Sequence, residues 1–97
     1  MNAHDFVKQQ AEILQAAGNT VKIEKTEDSI SVQAKEPGYF GNIITLSAYK
    51  PSYTGRWNLM PGRVYRVHGK TIQRKTYSQI RNMVDTYGRT WRTPEAS

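Results

Sequence analysis

The chain has 97 residues, no cysteine, 37% apolar residues and a formal net charge of +6. That length fits one domain with a thin core, and the lack of cysteine excludes a disulfide framework, a thiolate metal site and a thiol nucleophile. No run of about 18 apolar residues occurs, and MNAHDFVKQQAEIL lacks the basic-then-apolar order of a secretory leader, so the expectation is a cytoplasmic protein with no membrane contact.

In chain order, the first predicted element is a helix. Asn2 or His4 can cap it, Asp5 suits the positive end of its dipole, and Phe6, Val7, Ala11, Ile13, Leu14 and Ala17 keep to one side. Gly18-Asn19 supplies a left-handed stop. The pattern then switches to period two. Val21 and Ile23 alternate with Lys22 and Glu24, a turn at Thr26-Glu27-Asp28 follows, and Ile30, Val32 and Ala34 alternate with Ser31, Gln33 and Lys35. Pro37-Gly38 interrupts before a third strand, Asn42 to Tyr49, which Pro51 ends.

Arg56 to Met60 and Arg63 to Val67 read as two more strands around Pro61-Gly62, a pair suited to the centre of a type II turn. In a tight hairpin, Trp57, Leu59, Val64, Arg66 and His68 would share one face and Arg56, Asn58, Met60, Arg63, Tyr65 and Val67 the other, with Trp57 opposite Arg66 for a cation–π contact. A short extended piece, Thr71 to Gln73, precedes a second helix. Thr76-Tyr77-Ser78-Gln79 matches a capping box, the apolar stripe runs Tyr77, Ile80, Val84, Tyr87 with Met83 beside it, and Gly88 ends the helix. The expected fold is a single α+β domain over residues 1–88: an antiparallel sheet of three to five strands flanked by an N-terminal and a C-terminal helix, with residues 89–97 as a flexible tail.

Charge is divided along the chain. Residues 1–48 hold four lysines against six acids, a net −2, whereas residues 49–97 hold ten Lys or Arg against Asp85 and Glu95, a net +8. All seven arginines lie in the second half. No acid occurs from 37 to 84, where an even spread would put about four, and such an asymmetry points to a polyanion or an acidic surface as partner.

The candidate binding residues follow from that segment: Arg56, Trp57, Arg63, Tyr65, Arg66, Lys70, Arg74, Lys75 and Arg81. Cations suit phosphates, and rings suit unstacked bases. Lys70, Arg74 and Lys75 gather before the second helix, whose positive end disfavours them unless an anion compensates. Trp57 and Tyr65 have a competing role as core anchors, and at least one of them is expected there. Tyr39 and Phe40 in the loop KEPGYFGN form either an exposed tip or a cover for the core, and Arg89-Thr90-Trp91-Arg92 either an arm that orders on a partner or a segment packed on the first helix. No catalytic motif, metal-ligand spacing or cofactor fingerprint occurs, and His4 and His68 read as helix-start and turn residues.

The order helix, three strands, helix, with Arg74-Lys75-Thr76 opening the second helix, is similar in topology to double-stranded-RNA-binding domains. The chain lacks that family's Ala-rich second helix and its Gly-Pro-x-His loop and has extra strands, so no residue role is carried over. The expected function is non-enzymatic binding of DNA or RNA by a basic and aromatic surface. The alternative is a small adaptor or inhibitor, of the type mobile elements encode, that docks its basic face on an acidic or nucleic-acid-binding surface of a larger protein. Either would act as a monomer or a weak homodimer.

Overall fold

The computed structural model describes residues 1–37, 42–66 and 69–88. Helix α1 spans Ala3–Ala16 and begins at Asn2, whose side-chain oxygen accepts the Asp5 amide at 2.8 Å. It ends in a full Schellman motif: the Gly18 amide donates to the Gln15 carbonyl at 3.0 Å and the Asn19 amide to Leu14 at 3.1 Å. Gly18 has φ of 102°, a left-handed conformation that a Cβ would strain.

Six strands follow as one antiparallel meander: β1 (Thr20–Lys25), β2 (Ser29–Lys35), β3 (Ile43–Tyr49), β4 (Asn58–Leu59), β5 (Gly62–Tyr65) and β6 (Ile72–Arg74). The β1–β2 turn is closed by the Thr26 amide on the Ser29 carbonyl at 2.9 Å, with the two hydroxyls 2.8 Å apart. Between β2 and β3, the Glu36 carboxylate accepts the Asn42 amide at 2.8 Å. Helix α2, Tyr77–Tyr87, completes the chain, and its capping box is present in both halves, from Thr76 to Gln79 and back.

The expected hairpin at Pro61-Gly62 does not form. Strands β4 and β5 do not pair with each other; both lie along the same edge of β3, with Ala48 opposite Leu59 and Thr45 opposite Arg63. Three steps along β3 therefore face four on the other strand, so the pair is one strand with an extra residue at Met60-Pro61-Gly62, a β-bulge. Proline fits there because a bulge frees it from the ladder donation it cannot make. Gly62 does not take positive φ, so the type II reading fails as well. A Cβ on Gly62 would sit 3.0 Å from both Leu46 Cδ2 and Met83 Cε, so close packing, rather than a turn, explains the glycine.

Both helices lie on one side of the sheet, α1 over β1 to β4 and α2 over β5 and β6. Ile30, Val32, Ala34, Ile44, Leu46, Ala48 and Val64 point into this layer and form one cluster with Phe6, Val7, Ala11, Leu14, Ile80, Met83 and Val84. Burying each of the larger members contributes roughly 1.5–3 kcal/mol. The fold is thus a two-layer α+β domain. Among the described residues, no helix is long and apolar enough to cross a membrane.

Candidate functional site

Strand alternation that sends the apolar set toward the helices sends the rest to the opposite face, which, among the described residues, no helix covers. The registers arrange that face in rows. One row runs Lys22, Gln33, Thr45, Arg63, Gln73 across the five strand positions, and the next runs Thr20, Lys35, Ile43, Tyr65. At a strand spacing of about 4.8 Å, Lys22 and Arg63 stand roughly 14 Å apart. A third row holds Ser29, Tyr49 and Asn58. Tyr49 and Tyr65 are each 42% exposed, and the six-residue step from Tyr49 to Ile43 sets them about 20 Å apart along the strands.

Among the described residues, three strand cations on this face, Lys22, Lys35 and Arg63, accompany one acid, Glu24. Glu24 lies 3.8 Å from Lys22, with both side chains 72% exposed, a surface pair worth little. Arg63 is oriented by an amide: its Nε donates to Gln73 Oε1 at 3.3 Å. Positive charge, two open rings, hydroxyls and amides thus share one face of the sheet, groups able to meet phosphates and to stack on rings.

Only two of the nine residues singled out from sequence, Arg63 and Tyr65, stand on that face. Trp57 is half-buried against the core, its ring 4.8 Å from His4 and 5.6 Å from Lys50 Nζ. The expected Trp57–Arg66 contact is replaced. Arg66 places its guanidinium 5.9 Å from the Tyr87 ring, because β4 and β5 run in line along β3 instead of facing each other.

Arg74 donates from Nη1 to the Gln73 carbonyl at 2.8 Å and lines a cleft with Gln79, Asn82 and Tyr87. Arg81 lies on the other flank of α2, 5.8 Å over the Phe6 ring and beside Gln10 and Ile13. Arg56 is exposed before β4, with its amide on Thr54 Oγ1 at 3.3 Å; Lys70 and Lys75 are exposed on either side of β6. The fold therefore distributes these cations over the sheet face, the β6–α2 cleft, the α1–α2 side and the β3–β4 loop. Tyr39, Phe40, His68 and Arg89 to Arg92 lie outside the described residues.

Sequence reading missed Lys22, Lys35 and Tyr49 as members of the face and Tyr53, 86% exposed in the turn after β3. The polar positions of the period-two pattern contain the first three, but their grouping lies across strands and not along the chain. Buried Gln10 was also missed, because the apolar stripe of α1 was read from its apolar members alone.

The chain matches no family model, no curated protein and no solved structure.

Proposed function

We propose that this α+β domain is a non-enzymatic nucleic-acid-binding module that holds a single strand of DNA or RNA on the bare face of its sheet. The observation that carries the reading is the sheet face left uncovered among the described residues, where strand register sets Lys22, Lys35, Arg63, Tyr49 and Tyr65 among hydroxyls and amides with one described acid, Glu24. A single strand suits it better than a duplex, because rings exposed on a flat sheet stack on unpaired bases. The test is fluorescence anisotropy with labelled single-stranded and duplex oligonucleotides over a salt series. Single strands should bind more tightly than duplexes, with affinity falling linearly in log–log form as salt rises. Absence of binding to every oligonucleotide at low salt contradicts the reading.

The adaptor reading draws on a different observation. Arg56, Arg66, Arg74 and Arg81 stand away from the sheet face, and arginine with tyrosine dominates protein interfaces. A stoichiometric protein retained with the chain through high-salt washes, and released by Arg66→Ala with Arg74→Ala, supports that reading over the first.

A further inference from the structure

We infer that the domain self-associates through strand β1, with two copies joined antiparallel about Ile23 into one continuous sheet. The inference stands on β1 alone and does not depend on the nucleic-acid reading.

Among the described residues β1 pairs with β2 and with no other strand, so its second edge presents unpaired backbone groups. Which residues present them follows from the turn. The Thr26 amide bonds the Ser29 carbonyl at 2.9 Å, which makes Thr26 and Ser29 a hydrogen-bonded pair. Bonded and non-bonded pairs alternate in an antiparallel ladder. In the observed register the bonded pairs are then Glu24 with Ser31, Lys22 with Gln33 and Thr20 with Lys35. Val21, Ile23 and Lys25 therefore point N–H and C=O outward.

Native sheets blunt exposed edges with short strands, bulges, proline or charged side chains, lysine above all. Strand β1 has six residues in unbroken register and no proline or bulge, and its charged residues, Lys22, Glu24 and Lys25, are of both signs, so they oppose some pairings and favour another. Its charges favour one pairing among those that use most of the strand. A two-fold axis at Lys22 sets lysine against lysine, one at Glu24 sets glutamate against glutamate, and one at Lys25 again sets lysine against lysine. An axis at Ile23 places Lys22 of each copy opposite Glu24 of the other, twice over.

The same axis satisfies the backbone, since Ile23 meets Ile23 of the second copy and Val21 meets Lys25. All are outward-facing residues, so every N–H and C=O they present is used. Ile23, 42% exposed on the helix-side face, packs against its counterpart there, while the lysines and glutamates meet on the bare face. An axis perpendicular to the sheet keeps all four helices on one side and joins the two bare faces.

Analytical ultracentrifugation of the full chain without nucleic acid, from micromolar to about 1 mM, tests this, because an interface of this size gives weak association. Wild type should show a reversible monomer–dimer equilibrium. Lys22→Glu alone, and Glu24→Lys alone, should each weaken the dimer roughly tenfold, as like charges then meet at both symmetry-related pairs. Lys22→Glu combined with Glu24→Lys should restore the wild-type constant. Both residues are 72% exposed, and circular dichroism should show each variant folded. A chain monomeric throughout, a dimer indifferent to either single reversal, or a double reversal that fails to restore it would overturn the inference.

Discussion

The side-chain amide of Asn19 donates to the Gly88 carbonyl at 2.8 Å, joining the exit of α1 to the exit of α2 across 69 positions of sequence. The same nitrogen lies 2.9 Å from the Leu14 carbonyl, and Asn19 is only 6% exposed. One buried amide therefore satisfies carbonyls from both helix ends, where no intrahelical donor remains.

This joint predicts two costly substitutions. Asn19→Ala leaves the Gly88 carbonyl without its bond and should lower unfolding free energy by about 1–3 kcal/mol. Gly88→Ala should cost at least as much: its Cβ would stand 2.5 Å from Leu14 Cδ2 and 2.6 Å from the Val84 carbonyl oxygen, which is backbone and cannot swing away. Gly88 has φ of −76°, so contact and not conformation sets the penalty. Urea unfolding measures both.

Gln10 predicts a change in the opposite direction. It is 1% exposed in the helix layer, and among the described residues its Oε1 has no hydrogen-bond partner. Gln10→Met keeps the length of the side chain and removes the unpaired polar atom, so stability should rise by about 1 kcal/mol or stay level. A loss above about 1 kcal/mol in the same unfolding assay would show that the amide is satisfied in solution.

Trp57 and Tyr65 should separate stability from binding. Trp57 packs on the core, so Trp57→Ala should cost about 2 kcal/mol of stability while leaving oligonucleotide affinity nearly unchanged in the folded protein. Tyr65 is exposed on the bare face, and Tyr65→Ala should change stability by less than about 0.5 kcal/mol. It should weaken single-strand binding by about 1–3 kcal/mol. Thermal melts and anisotropy on the same samples make the comparison.

Arg63 carries the electrostatic prediction. Arg63→Ala should reduce the slope of log affinity against log salt by about 0.7 for a single strand, the equivalent of one phosphate contact. Arg81, on the opposite side of the molecule over Phe6, should leave that slope unchanged when replaced by Ala.

How much of this was legible in the sequence depended on whether the signal was local. The cap at Thr76, the stop at Gly18 and the alternation of Ile30, Val32 and Ala34 are read from neighbouring residues and found in the structure, and of the two caps open for α1, Asn2 and His4, the structure uses Asn2. Pro61-Gly62 was misread because a two-residue hairpin and a bulged strand both put Leu59 and Val64 on the inner face. Only pairing with β3, a non-local fact, distinguishes them. The grouping of Lys22, Lys35 and Arg63 was hidden for a related reason. They are distant in sequence, and only the registers of β1, β2, β3 and β5 bring them together.

Amide and side-chain chemical-shift mapping of the labelled protein with a short single-stranded oligonucleotide tests the central claim most directly. The largest changes should fall on Lys22, Gln33, Lys35, Thr45, Arg63 and Tyr65. Changes concentrated instead on Arg66, Arg74, Arg81 and the flanks of α2 would contradict it.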